Sequence, residues 1–268
     1  MNDICFVAQG TKQYQKFLIP FALFVLFHHQ GACVEMIVDT PKLFNNQHAE
    51  ELQLLRNIFG QQCVYVSKNQ HCNPKFHAGV SRFLHIPVNK RKYTYIGDVD
   101  IIILENILPF HLNMLEKYKL PYSNIVRRST RRLTGLHFVE TKKYYTEQFK
   151  KVAKETTKQK RGKGDERILY GICQRLHGII STSDPAERPD HGIHMSPNRG
   201  MTCKMKLTIP HDRFQYMNTL IENEIVFANM MKISSDTRKL VDDVRKQYAL
   251  LNTKIITMCT CGESNPDI

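Results

Sequence analysis

The segment Tyr93-Thr94-Tyr95-Ile96-Gly97-Asp98-Val99-Asp100-Ile101-Ile102-Ile103-Leu104 carries the most information in the chain. Tyr-Thr-Tyr-Ile reads as a strand, because aromatic and β-branched side chains suit a pleated surface. Gly97 to Asp100 interrupts it, and Ile-Ile-Ile-Leu resumes an extended run. On a regular strand, residues two apart face the same side, so Asp98 and Asp100 are expected to point together. Two unpaired carboxylates between apolar segments would be costly to bury. Turn residues that cap local backbone groups are the plain alternative. The apolar surroundings favour a shared hard cation, Mn²⁺ or Mg²⁺, which takes oxygen ligands and completes its shell with phosphates.

The flanking sequence alternates strands and helices. Ile4 to Ala8, Cys33 to Val38 and Cys63 to Val66 read as strands. Tyr14 to His28, Ala49 to Phe59 and Pro74 to Leu84 read as helices, with Leu52, Leu55, Ile58 and Phe59 on one side of the second. Such alternation predicts an α/β fold with a mostly parallel, Rossmann-like central sheet flanked by helices. Beyond the Asp98-Val99-Asp100 motif, Pro109 to Lys117, Thr141 to Lys154 and Asp165 to His177 read as helices. Tyr122 to Val126 and Leu133 to Val139 read as strands around the basic loop Arg127 to Arg132. Ser181 to Gly200 reads as irregular, and the chain from about Pro210 to Leu251 reads as helices ending in a polar tail. Residues 1–209 are expected to form the catalytic domain, with 210–268 a helical extension packed on it.

Composition narrows the class. The chain of 268 residues carries a formal net charge of +13, which favours anionic partners: phosphates, nucleic acid or an acidic membrane surface. The basic residues are spread over several elements, and no zinc-finger or helix-turn-helix pattern appears, so nucleic acid is not the expected partner. The eight cysteines contain no Cys-x-x-Cys pair and read as reduced thiols of a cytoplasmic protein. No signal peptide is visible. The apolar run Phe17 to Phe27 contains Pro20 and falls short of the about 20 residues that span a bilayer, so a buried helix is expected.

The order of these pieces resembles the GT-A class of nucleotide-sugar glycosyltransferases. Cys5-Phe6-Val7-Ala8-Gln9-Gly10, with Tyr14 and Pro20-Phe21 after it, is similar to their first strand and helix. Ser81-Arg82-Phe83-Leu84-His85-Ile86-Pro87 and the Asp98-Val99-Asp100 segment resemble their helix and D-x-D strand. Leu133-Thr134-Gly135-Leu136-His137-Phe138-Val139 looks like the later strand lining the sugar pocket. The resemblance implies a metal-dependent transfer of sugar from a nucleotide-diphosphate donor to a glycan, glycolipid or glycoprotein hydroxyl. It also implies that Gln9, Gly10 and Arg82 face the nucleotide or diphosphate. Asp98 would meet the ribose or metal, and Asp100 the metal.

Two further elements gain meaning from it. Asp165 and Glu166 open a helix where such enzymes often carry an acidic element, and either is a candidate general base for the acceptor hydroxyl. Asp165 after Gly164 is also a good helix N-cap, which needs no chemistry. His191 and His194 lie in a later loop from which a histidine often reaches the metal; His194, flanked by Ile193 and Met195, is preferred. Lys158 to Gly164 reads as a mobile basic loop able to close over a diphosphate. Arg127 to Arg132 is suited to an anionic acceptor or to peripheral contact with anionic lipid. A sugar-phosphate nucleotidyltransferase is the nearest alternative, but the single glycine of Ala8-Gln9-Gly10-Thr11-Lys12 does not make its Gly-rich phosphate loop.

Overall fold

The first strand, β1 (Ile4–Gln9), is buried from end to end. Its side chains alternate between two cores: Ile4, Phe6 and Ala8 enter one, Cys5 and Val7 the other. A strand buried on both faces belongs to a sheet covered by helices on both sides. The computed structural model describes residues 3–70, 79–159, 164–179, 191–194 and 211–260. Among them, six strands form the central sheet, in the order β3 (Val64–Lys68), β2 (Cys33–Val38), β1, β4 (Tyr93–Ile96), β9 (His137–Glu140) and β6 (Tyr122–Ser123). β1 runs parallel to β2 and β4, and β2 to β3. β9 is antiparallel to both β4 and β6. The same alternation recurs across the sheet: Tyr95 and Phe138 join the first core, and their neighbours Ile96 and Val139 join the second. The expected mostly parallel α/β sheet flanked by helices is present.

The first core lies under α1 (Leu18–His28), α3 (Ala49–Phe59), α5 (Leu108–Tyr118), α9 (His211–Asn223), α10 (Ile225–Ile233) and α11 (Ser235–Thr260). α1 is apolar all round because it sits between the sheet and the C-terminal helices. The rings of Phe24 and Phe27 lie 4.8 and 5.1 Å from Phe227. Full burial of a side chain such as Phe24 contributes about 2 to 3 kcal/mol. Pro20 is tolerated because it falls in the first turn, where helix N–H groups have no intrahelical partner. No helix of the described residues is long and apolar enough to cross a membrane. The second core lies under α4 (Val80–Leu84), α6 (Thr141–Tyr144), α7 (Phe149–Gln159) and α8 (Asp165–Leu176).

Several local expectations change. A further helix, α2 (Pro41–Gln47), precedes α3 with proline in its first turn. Ile58, expected on the buried side of α3, is 45% exposed. The segment from Tyr14 begins with a 3-10 turn (Lys12–Phe17) before α1. Thr141 to Lys154 is two helices, and the break lets Tyr144 and Phe149 both enter the second core, with rings 5.6 Å apart. Tyr122 to Val126 and Leu133 to Val139 each divide. Their inner ends form a small hairpin of β7 (Val126–Arg127) and β8 (Arg132–Leu133). The helix placed over Pro74 to Leu84 is seen as α4; residues 74–78 lie outside the described residues.

The largest change concerns Ile101 to Leu104. It does not rejoin the central sheet. β5 (Ile101–Ile103) pairs antiparallel with β10 (Gly192–His194), part of the segment expected to be irregular.

Candidate functional site

The chain leaves β1 toward β2 and β3, then returns to β4 on the other side of β1. In open α/β sheets, the crevice at the carboxyl ends of the strands flanking such a reversal is where ligands bind. Gln9 ends β1 there, and its Oε1 accepts a 2.6 Å hydrogen bond from Ser81 Oγ. The Gly10 N–H donates to the Ile37 carbonyl at 3.0 Å, and the Gly97 N–H donates to that of Val7 at 3.2 Å. Gln9, Gly10 and the Asp98-Val99-Asp100 motif therefore share one edge of the sheet.

The motif itself occupies a turn, not a regular strand. Strand alternation is thus not what brings the two carboxylates together; the supporting elements do that. Arg82, on α4, places Nη1 2.6 Å from Asp98 Oδ1 and donates from the same nitrogen to the Gly97 carbonyl at 3.2 Å. Its Nη2 donates to Asp165 Oδ2 at 3.1 Å. Burial disfavours the charge on Arg82, but the Asp98 and Asp165 carboxylates outweigh burial and hold its pKa above the usual arginine value. Gly135, in the turn between β8 and β9, is a close-packed position beside Asp98 that sequence reasoning passed over. A Cβ there would lie 2.5 Å from both Asp98 carboxylate oxygens. The only sequence signal was a glycine in an otherwise apolar strand, which often marks close approach of another group.

β5 begins directly after Asp100, and its register with β10 sets His194 opposite Ile101. His194 Nε2 consequently stands 3.8 Å from Asp100 Oδ1. One ligand atom from each of Asp98, Asp100 and His194 falls within 4.8 Å of the others. Octahedral Mg²⁺ or Mn²⁺ with bonds of about 2.1 Å spans about 4.2 Å between opposite ligands. Two carboxylates and an imidazole thus fit such an ion with a small contraction. Gly192 is essential to this register, since a Cβ would meet the Ile102 carbonyl oxygen at 1.6 Å.

His191 goes elsewhere. Residues three apart on an extended segment face opposite sides. Its ring is buried, with Nδ1 2.8 Å from Glu105 Oε1 and Nε2 2.9 Å from His111 Nε2. His191 therefore braces β10 while His194 reaches the carboxylates.

On α8, Gly164 is the N-cap, so Asp165 is not the cap expected of it. Asp165 is the first helical residue. Its Oδ1 accepts the Glu166 backbone N–H at 3.0 Å while Oδ2 holds Arg82. Glu166 stands apart from Arg82. Its Oε2 is 3.7 Å from Arg127 Nη1 and 3.8 Å from Arg132 Nη1. Burial raises its pKa, and Asp165 and Asp98 add to the rise, while Arg127 and Arg132 oppose it. Of the basic loop Lys158 to Gly164, residues 160–163 lie outside the described residues.

No protein-family model matches the chain, and no curated protein matches it. Solved structures do. The galactosyltransferase LgtC, in complex with donor and acceptor sugar analogues, aligns with a TM-score of 0.54 at 12% identity, covering 88% of this chain and 99% of LgtC. The glycosyltransferase GlyE of Streptococcus pneumoniae TIGR4 aligns at 14% identity with a TM-score of 0.47, covering 64% of this chain. The match spans 43% of GlyE, so the chain corresponds to less than half of that structure. At such identities the likeness to LgtC is one of fold. The chain has a GT-A type fold, with an Asp-x-Asp group just beyond the carboxyl end of β4.

Proposed function

We propose that this protein is a metal-dependent glycosyltransferase that uses a nucleotide-diphosphate sugar. The observation that carries the reading is the convergence of Asp98, Asp100 and His194 at the reversal point of the sheet. Asp100 and His194, with one Asp98 oxygen, would hold Mn²⁺ or Mg²⁺. The ion when bound would offset the charge of the departing diphosphate. Asp98 can hold Arg82 with one oxygen and still offer the other, because a carboxylate accepts at both. Gln9 and Gly10 face the nucleotide from the end of β1, and Arg82 keeps the motif's turn in place.

In the reaction, the acceptor hydroxyl oxygen bonds to the anomeric carbon as the bond from that carbon to the diphosphate breaks. For an inverting reaction the hydroxyl proton passes to Glu166, the acid of the pair that Arg82 does not hold; Asp165 is the alternative base. For a retaining reaction the leaving phosphate takes the proton. The acceptor class is a glycan, glycolipid or glycoprotein. The division into a catalytic domain over 1–209 and a helical extension over 210–268 belongs to the same proposal. So do a cytoplasmic setting, which the buried free thiols of Cys5, Cys33, Cys63 and Cys173 fit, and peripheral contact with anionic membrane.

The test is a screen of nucleotide-sugars for slow hydrolysis and thermal shift, with and without Mn²⁺. Metal-dependent hydrolysis of one donor is expected. A response from none of them would overturn the reading.

A further inference from the structure

The β7–β8 hairpin holds two like charges in an arrangement that costs stability. Arg127 and Arg132 are register partners across the strand pair. Directly opposed side chains on an antiparallel pair are neighbours, and like charges there repel. Arg131, next to Arg132, adds a third cation, exposed and on a left-handed backbone (φ 49°). Glu166 is the acid that both guanidinium groups face, at 3.7 and 3.8 Å. Those separations exceed hydrogen-bond range, so Glu166 leaves most of the ten N–H donors of the two forks uncommitted. Arg132 Nε is buried and has no hydrogen-bond partner among the described residues. Two cations therefore converge on one carboxylate, the candidate base Glu166, and the three groups together carry one positive charge in excess.

We propose that Arg127 and Arg132 form an anion site that selects a saccharide acceptor carrying a carboxylate, sulfate or phosphate near its reactive hydroxyl. This rests on the transferase reading and names the acceptor class for the same site. Arginine forks bind planar oxyanions through paired, charge-assisted hydrogen bonds. An acceptor whose hydroxyl lies at Glu166 brings its neighbouring ring substituents to these two side chains. The anion would relieve the cross-strand repulsion, so binding energy and orientation come from one contact. A lipid surface fits less well, because the two side chains turn toward Glu166 instead of presenting a flat cationic face.

The test uses matched acceptors that differ only in charge, such as p-nitrophenyl β-glucuronide and p-nitrophenyl β-glucoside, with sulfated and phosphorylated counterparts. Wild type is compared with the double variant Arg127→Gln, Arg132→Gln. Wild type is expected to favour an anionic acceptor in kcat/KM by about tenfold or more, the effect of one or two hydrogen bonds to a charged group. In the variant the ratio of charged to neutral acceptor falls toward one. A wild type that does not discriminate, or a variant that still does, would overturn the proposal. A second arm needs no donor: saturation-transfer NMR of glucuronic acid against glucose. Glucuronate binding that weakens in the variant and with salt supports the anion site even if no donor is ever turned over. Equal binding of both sugars sinks it. Arginine-dependent binding to phosphatidylglycerol vesicles, without any preference among saccharides, would assign the pair to lipid instead.

Discussion

The two aspartates of one short motif have different nearest partners. Asp98 is 2.6 Å from a buried arginine that also holds Asp165 and the Gly97 carbonyl. Asp100 is more deeply buried and stands 3.8 Å from an imidazole that belongs to a different small sheet. The Asp98 side is built from cation and anion and is neutralised within the protein except for one charge. The Asp100 side presents a carboxylate and a histidine, a donor set for a divalent ion. A paired brace beside this donor set holds the turn in shape, while the motif keeps negative charge for a metal.

The strongest way to break this contrast is to remove the brace. Arg82→Met leaves Asp98 and Asp165 facing each other without a counter-charge. Because both acids keep some contact with solvent, a loss of about 3 kcal/mol is expected, at the low end for breaking a buried pair. Urea unfolding measures it, and an unchanged midpoint would show that the pairing contributes nothing.

Next is the metal side. Loss of a residue that merely supports a metal ligand costs 10- to 100-fold, so Asp100→Asn is expected to reduce Mn²⁺-dependent donor hydrolysis by about a hundredfold or more. Mn²⁺ titration followed by electron paramagnetic resonance should show the matching loss of affinity. Retained affinity would move the metal elsewhere.

Two glycines then separate the sides. Gly192→Ala drives a methyl into the Ile102 carbonyl and must part β5 from β10. It should cost about 2 kcal/mol, as overpacking does, and weaken Mn²⁺ binding through His194. Gly135→Ala pushes on the Asp98 carboxylate instead. A cost of about 1 kcal/mol with a smaller change in Mn²⁺ affinity is expected. Equal effects on Mn²⁺ binding from both variants would erase the distinction between the two sides.

The smallest effect on stability is at Glu166. Its folded pKa is raised, chiefly by burial, above that of the unfolded chain. The folded state therefore binds more protons between the ordinary glutamate pKa and the raised one, and stability falls as pH rises through that window. Glu166→Gln should remove this slope, so the variant gains in melting temperature relative to wild type from pH 4 to pH 7. Donor transfer by wild type should rise with pH over the same window if Glu166 is the base. A parallel pH profile in the variant would exclude it.

Much of this was legible in local pattern. The strand-like runs at Ile4, Cys33 and Tyr93, and the helical spacing of Ala49 to Phe59, were read at nearly their observed limits. These elements are buried on defined faces, and burial imposes a period that a short window can show. The acidic pair, the acids opening α8 and the preferred His194 were also visible as residue types. The division of the strands around Arg127 to Arg132 into a separate hairpin, the break after Tyr144 and the pairing of β5 with β10 were not. Each depends on partners distant in sequence, and two- or three-residue strands carry too few side chains to display a period.

The amino-acid sequence by itself determined the alternation of strands and helices, the apolar α1 and the chemistry available at Asp98, Asp100, Asp165, Glu166 and His194. Only the tertiary structure decided how those groups are shared: Arg82 with Asp98 and Asp165, His194 with Asp100, Arg127 and Arg132 with Glu166. The reason is that hydrophobic periodicity acts within one element, whereas ion pairs and strand register join elements that the chain brings together only when the sheet and its helices are packed.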